Sequence, residues 1–314
     1  MKYSPTTEER IWSILSHLSA IAFGMGILLP VIGWSEQRRK SNYAAFQCLQ
    51  ALGYQSLGYT TWILVSLLVV IALMFVTISK LAAASGRDED ITFLLGPSLT
   101  IHFVIAMALI GLYAIFPVLA AISCARGKEF YYPIIGNHLA RYLGYGRVDD
   151  QEWLIEERED RWVAAMGHFS VIIALWGILA PLTAWILQSK RSLFLRLQSI
   201  QTLIYQAGVT ILFFSAGFVY LFGLGIFVGT IGFGGEPNLN NSTAMVGLIV
   251  FVIFMLIAFV IILIVPLFHI MGQWAGYRVL KGDNYYYPVL GRLVEKTISR
   301  KTSLPESTPP RTAV

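Results

Sequence analysis

Apolar and polar positions alternate along this chain in blocks, and the blocks occur twice. Residues 11–34 carry no charged side chain over 24 positions. At 1.5 Å per residue a helix of that length reaches about 36 Å, enough to cross a hydrocarbon core. Residues 42–79 read as one helix in two parts. The first part, to Gln55, is amphipathic, with Gln47, Gln50 and Tyr54 at i, i+3 and i+7 on one face. The second, from Leu57 to Ile78, is uniformly apolar. Residues 98–125 form a third apolar segment with Pro117 inside it, and Gly96-Pro97 reads as a turn or kink before it. Thr6 and Glu9 have the spacing of a capping box that opens the first helix.

The plan then repeats. With a constant offset of 151 and no gap, residues 8–55 align with 159–206 at 17 identities in 48 positions. Chance in so apolar a chain gives roughly three or four, and a period of this kind decides the architecture before any residue-level reading. The identities include His17 and His168, Ser19 and Ser170, Pro30 and Pro181, and Trp34 and Trp185. Gln47, Gln50, Tyr54 and Gln55 meet Gln198, Gln201, Tyr205 and Gln206. Farther on, Tyr131-Tyr132-Pro133 and Tyr286-Tyr287-Pro288 correspond at an offset of 155. The expected organisation is a first membrane repeat over 1–147, an acidic linker over 148–160, a second repeat over 161–298 and a disordered tail over 299–314. The fold class is an all-α integral membrane protein, a tandem three-helix unit with about six transmembrane helices plus interfacial helices.

Composition agrees. Apolar residues make up 56% of the chain and charged ones 13%, with mean hydropathy +0.65. Soluble domains carry about a quarter charged residues. The net charge of +5 forms no basic stripe with interleaved aromatics, so no nucleic-acid partner is expected. Cys48 and Cys124 have no metal spacing and read as small buried residues. No HExxH, GxSxG or Walker loop is present, and no carboxylate pair lies within the spans. The chain therefore reads as a non-enzyme with no cofactor and no metal.

Charge creates a conflict. Arg38, Arg39 and Lys40 follow the first segment of copy one, and Lys190 and Arg191 follow that of copy two. The positive-inside rule puts both loops in the cytoplasm. Three crossings per copy would put them on opposite sides. Either the copies form an inverted pair, as in transporters with a midplane site, or each first segment dips in and returns near Gly24-Met25-Gly26 and Trp176-Gly177. Length favours full crossings.

Candidate chemistry is sparse. His17 and His168 sit inside their segments, as packing residues or as a relay or ligand contact. Gln47, Gln50, Tyr54, Gln55, Gln198, Gln201, Tyr205 and Gln206 form either interhelical polar glue or the lining of a polar groove between copies. Trp34, Trp185, Tyr132, Pro133, Tyr287 and Pro288 are expected as interfacial anchors. Glycine pairs Gly225/Gly229 and Gly272/Gly276 suit close helix packing.

Taken together, the Glu-Arg start, His17-Leu18-Ser19 and His168-Phe169-Ser170, the Trp before a basic loop, the Gln-rich helix and the Gly…Tyr-Tyr-Pro motif resemble a bacterial three-helix domain of the Tic-twenty-like group, named for a chloroplast import translocon subunit. That resemblance covers nearly the whole chain. It implies a scaffold or accessory subunit of a membrane complex, with the lipid bilayer and membrane proteins as partners, possible links to protein translocation, and the bacterial cytoplasmic membrane as location. The alternative is a small-solute transporter or channel built from inverted repeats.

Overall fold

The structure is a computed structural model, and it describes residues 4–84, 91–146, 154–231 and 242–302. Among them every regular element is helical. In copy one, α1 (Thr7–Leu18) leads through a 3-10 turn (Ser19–Ile27) into α2 (Leu28–Gln37). Then α3 (Asn42–Gly53), a π turn (Tyr54–Gly58) and α4 (Tyr59–Ala84) form one long helix, followed by α5 (Ile91–Ala125) and the short α6 (Ile135–Leu143). Copy two repeats this as α7 (Glu156–Phe169), a 3-10 turn (Ser170–Ile178), α8 (Leu179–Gln188), α9 (Leu193–Ile231), α10 (Ser242–Leu280) and α11 (Leu290–Thr302). Thr6 and Glu9 make the reciprocal capping box at the start of α1.

The first segment of each copy is a hairpin. The Gln37 side chain donates to Glu8 at 3.0 Å, so the two ends of Thr7–Gln37 lie side by side. Gly33 faces Ser16 and Trp12, and a Cβ on Gly26 would stand 1.7 Å from the Ser19 carbonyl oxygen. The chain reverses at Phe23, whose φ is 50°. Copy two does the same: the Ser170 hydroxyl lies 2.8 Å from the Gly177 carbonyl, and Gly167 packs on Pro181. Five segments are long and apolar enough to cross a membrane, namely 7–37, 42–83, 96–125, 193–231 and 242–280. The first of these folds back on itself, and its counterpart in copy two offers only the shorter apolar stretch 175–188. In place of six straight helices the chain has four long through-helices and a hairpin at the head of each copy. Residue count measures the length of an apolar stretch and not its direction. The two hairpins open at the same end, where Arg38 donates to Gln188 at 3.4 Å, so the copies are parallel and both basic loops lie together.

The through-helices pair antiparallel within each copy. Tyr54 donates to the Tyr113 carbonyl at 2.6 Å, and Tyr205 to that of Phe268 at 2.7 Å. Pro97, Pro117 and Pro266 lie inside α5 and α10 without ending them, so Gly96-Pro97 is helical and not a turn. Gly272 and Gly276 pack against Val171 and Phe169, as their spacing suggests, whereas Gly225 and Gly229 touch nothing outside their own turn of helix. Residues 148–153 of the expected linker and 303–314 of the expected tail lie outside the described residues. Glu156 to Asp160 are the first turns of α7, and residues 299–302 end α11.

The Gly26 contact generates a direct prediction. Gly26→Ala should cost about 3 kcal/mol or more, because the obstruction is backbone and cannot rotate away. Met25→Ala, at an exposed position, should cost little. Thermal unfolding in mild detergent separates the two.

Candidate functional site

Each copy holds one buried polar cluster, built from the residues that the two copies share. A helix that ends inside an apolar layer leaves carbonyls without partners. In copy one Gln55 from the long helix answers this: its Nε2 donates to the Ser16 carbonyl at 3.1 Å and to Ser19 Oγ at 2.9 Å. In copy two Gln206 donates to the Gly167 carbonyl at 2.6 Å and to Ser170 Oγ at 3.2 Å. Ser19 and Ser170 turn their own hydroxyls onto the Ser16 and Gly167 carbonyls. These serines are committed to capping the hairpin.

The histidines hold the Tyr-Tyr-Pro segment. His17 Nδ1 lies 3.0 Å from the Tyr132 hydroxyl and its Nε2 3.0 Å from Gln47 Oε1. Gln47 Nε2 donates to the Phe130 carbonyl, so Gln47 Oε1 must accept. His17 is then the neutral tautomer protonated at Nε2, and Nδ1 accepts from Tyr132. His168 repeats this with Tyr287 at 2.9 Å and Gln198 at 3.0 Å. Gln50 and Gln201 complete the clamp from both ends. Each donates at 2.8 Å to the carbonyl of Phe130 or Tyr285 and accepts the amide of Tyr132 or Tyr287. Tyr54 stacks on Tyr132 at 4.4 Å, and Tyr205 on Tyr287 at 3.9 Å.

The structure therefore gathers His17, Gln47, Gln50, Tyr54 and Tyr132 in one place, and His168, Gln198, Gln201, Tyr205 and Tyr287 in another. It does not bring the two sets together. The glutamines face their own copy's Tyr-Tyr-Pro segment, fully buried, and no groove between copies runs along them. Trp34, Tyr132 and Tyr287, expected as interfacial anchors, are buried too. Aromatic type alone suggested the headgroup level; what decides is that each has a buried polar partner. Pro133, Pro288 and Trp185 remain exposed. Cys48 and Cys124 are buried free thiols, Cys48 accepting from Ser16.

A second polar site joins the copies, and charge spacing alone did not reveal it. Arg38 is buried at the polar end of the hairpins, 2.6 Å from Asp160, 3.2 Å from Glu159 and 3.3 Å from Glu156. Its guanidinium lies over the Trp34 ring at 4.8 Å, and the Trp34 indole donates to Glu159. Arg39 pairs with Glu156 at the rim. A cleft of about 360 Å³ opens here between Arg38, Arg39, Asn42, Leu154 and Glu156. The signal in the sequence was the excess of acids just before copy two, which reads equally well as a solvated linker. Among the described residues no three His, Cys, Asp or Glu side chains converge as a metal site would require.

The magnetosome magnetite crystal formation protein family, MamF/MmsF, matches residues 8–139 and again 159–294. The chain belongs to the MamF/MmsF family. It is an integral protein of a bacterial membrane, and its family is one of magnetosome formation. No curated protein and no solved structure matches it. The resemblance to the Tic-twenty-like group is thereby overturned, and the link to protein translocation falls with it. The residues that carried that resemblance are the hairpin caps and Tyr-Tyr-Pro clamps, which mark a way of folding and not a translocon.

The ion cluster generates a prediction. Burial pushes the Glu159 carboxyl from its ordinary 4.5 up to about 7, against the opposing pull of Arg38 and the Trp34 indole. Asp160 is raised for the same reason, while Glu156 is held down by Arg39. A folded-state value above the unfolded one means that the folded protein binds more protons between those values. The stability owed to protonated Glu159 is full below about pH 4.5 and is lost as pH rises through about 7. Thermal stability in detergent should fall by about 1–3 kcal/mol between pH 5 and 8. Glu159→Gln should flatten that slope and match or exceed the parent at pH 8.

Proposed function

We propose that this chain is a non-enzymatic structural component of the magnetosome membrane that serves magnetite crystal formation as a rigid, parallel pair of membrane modules. The observation that carries the reading is the family match over both copies, joined to the way each copy spends its polar groups. His17, His168 and the six glutamines are buried and bonded within their own copies, which leaves the outward faces of α4, α5, α9 and α10 largely apolar for lipid and for membrane partners. A buried polar network whose amide and imidazole donors are bonded rigidifies a bundle more than it moves solutes, even with the Oε1 atoms of Gln55 and Gln206 left without a partner. Parallel copies also differ from the inverted pair that a midplane transport site would use.

The test is genetic and structural together. Removing this chain from a magnetite-forming host that carries it should change crystal size or shape seen by electron microscopy, and a tagged copy should fractionate with magnetosome membranes. Unchanged crystals, or a tagged protein confined to other membranes, would refute the reading. Substrate-independent ion or solute flux through vesicles containing the purified protein would argue for a conducting path instead.

A further inference from the structure

The turn that follows Tyr-Tyr-Pro is strained in the same way in both copies. Ile134 has φ 68° and Val289 has φ 65°. A β-branched side chain is a poor choice for that region of backbone space, where glycine or asparagine fits. The turn is tight: the Gly136 amide donates to the Tyr132 carbonyl and the Gly291 amide to that of Tyr287, both at 2.9 Å. Ile134 and Val289 are nonetheless 79% and 75% exposed, the two most exposed large apolar side chains among the described residues. Packing within the chain gives no reason for either. Strained residues of this kind concentrate at binding sites.

Their level in the membrane is set by α10. Near its end Arg278 lies over the Trp274 ring at 5.8 Å and Lys281 over the Tyr277 ring at 5.2 Å. Both rings are exposed. Aromatic rings beside long cationic side chains mark the headgroup level of a bilayer. Asp283 pairs with Arg278, and Arg161 of α7 donates to the Asp283 carbonyl at 3.3 Å. Val289 follows a few residues later, so its turn lies at that belt, at the end of the bundle that carries the basic loops. Apolar contact with the leaflet accounts for Ile134 and Val289 alike and assigns nothing more.

The surroundings of Val289 do assign more. A cavity of about 570 Å³ opens beside it, lined by Tyr286, Tyr287, Pro288, Arg292 and Glu295. Arg292 and Glu295 are one helical turn apart on α11, a spacing at which opposite charges commonly pair. They do not pair here. The Tyr286 hydroxyl donates to Glu295 Oε1 at 3.3 Å, and Arg292 makes no ion pair or hydrogen bond among the described residues. Two opposite charges thus flank one cavity without neutralising each other, next to the apolar surface of Pro288 and Val289. Copy one has the turn without the charges. Asn137 and Ala140 stand at the corresponding positions, at the offset of 155, and the Tyr131 hydroxyl turns to Glu129 instead.

These features describe a zwitterion with a hydrocarbon tail. A guanidinium takes a phosphate diester through charge-assisted hydrogen bonds, and a carboxylate takes an ammonium that can donate. We propose that this cavity binds the headgroup of a phosphatidylethanolamine molecule from the surrounding leaflet, with its phosphate on Arg292, its amine on Glu295 and the start of its acyl chains against Val289. The site belongs to copy two alone. A purely anionic headgroup would set its charge beside Glu295 with nothing to offset it, so the carboxylate selects against such lipids.

The experiment uses the purified, delipidated full-length protein in mild detergent and native mass spectrometry. The probes are short-chain phosphatidylethanolamine, short-chain phosphatidylglycerol and inorganic phosphate. Phosphatidylethanolamine should bind at one molecule per chain, about tenfold more tightly than phosphatidylglycerol, and phosphate should not be retained. Arg292→Gln should weaken both lipids by about tenfold, whereas Glu295→Gln should weaken phosphatidylethanolamine alone. Both residues are exposed, and unfolding temperatures equal to the parent's establish that the variants are folded. Val289→Asn separates the turn's fold from its role: asparagine suits this φ, so the unfolding temperature should hold or rise while lipid affinity falls. Equal lipid binding by the parent and Arg292→Gln would overturn the proposal, as would phosphatidylglycerol bound as tightly as phosphatidylethanolamine. Retention of inorganic phosphate as tightly as lipid would make this a site for a soluble anion and overturn it as well.

Discussion

A backbone that turns around inside an apolar layer must find partners for the carbonyls it exposes, and the rest of this structure depends on how that is done. Water is absent there, and each orphaned polar group costs several kcal/mol. Gln55 and Gln206 meet this demand from the neighbouring helix, assisted by Ser19 and Ser170. Once the first segment returns, each copy crosses an even number of times. The copies become parallel, both basic loops come to one end, and Arg38 meets the acids of α7. The ion cluster between the copies is thus a consequence of hairpin closure within them.

The clamp on the Tyr-Tyr-Pro segment extends the same economy of polar groups. His17, Gln47 and Gln50 together satisfy the Tyr132 hydroxyl and the backbone on either side of Tyr131. Copy two reproduces every one of these bonds with His168, Gln198 and Gln201. Such a network ties the end of each copy back to its beginning, so the hairpin and the two through-helices form one unit.

Much of this was legible in the residues. The repeat, the four long apolar helices, the capping box at Thr6 and the buried cysteines follow from pattern and spacing. The hairpin was visible only as a conflict between length and charge. Twenty-four uncharged residues argue for crossing, while Arg39 and Lys190 argue against it, and the hairpin agrees with the charges. Gly26 and Gly177 carried the deciding signal, since only glycine lets the returning strand approach the Ser19 and Ser170 carbonyls. Their identity in both copies did not by itself say what they approach. The same blindness affected Trp34 and Tyr132: their partners, Glu159 and His17, lie 125 and 115 residues away. Periodicity places Gln47, Gln50 and Tyr54 on one face of a helix, but it cannot say whether such a face meets water, another copy or its own chain. The residues that resemble the Tic-twenty-like group describe this hairpin-and-clamp unit, and the unit alone does not name a function.

The central claim is that each copy enters and leaves the membrane at the same end through a re-entrant hairpin, so that the two copies are parallel. Topology tests it most directly. In a background with Cys48→Ser and Cys124→Ser, single cysteines at Arg39 and Lys190 are labelled with a membrane-impermeant thiol reagent from each side of sealed vesicles. Labelling of both from the cytoplasmic side is the predicted result. Labelling of the two from opposite sides would mean three crossings per copy and an inverted pair, and would contradict the account.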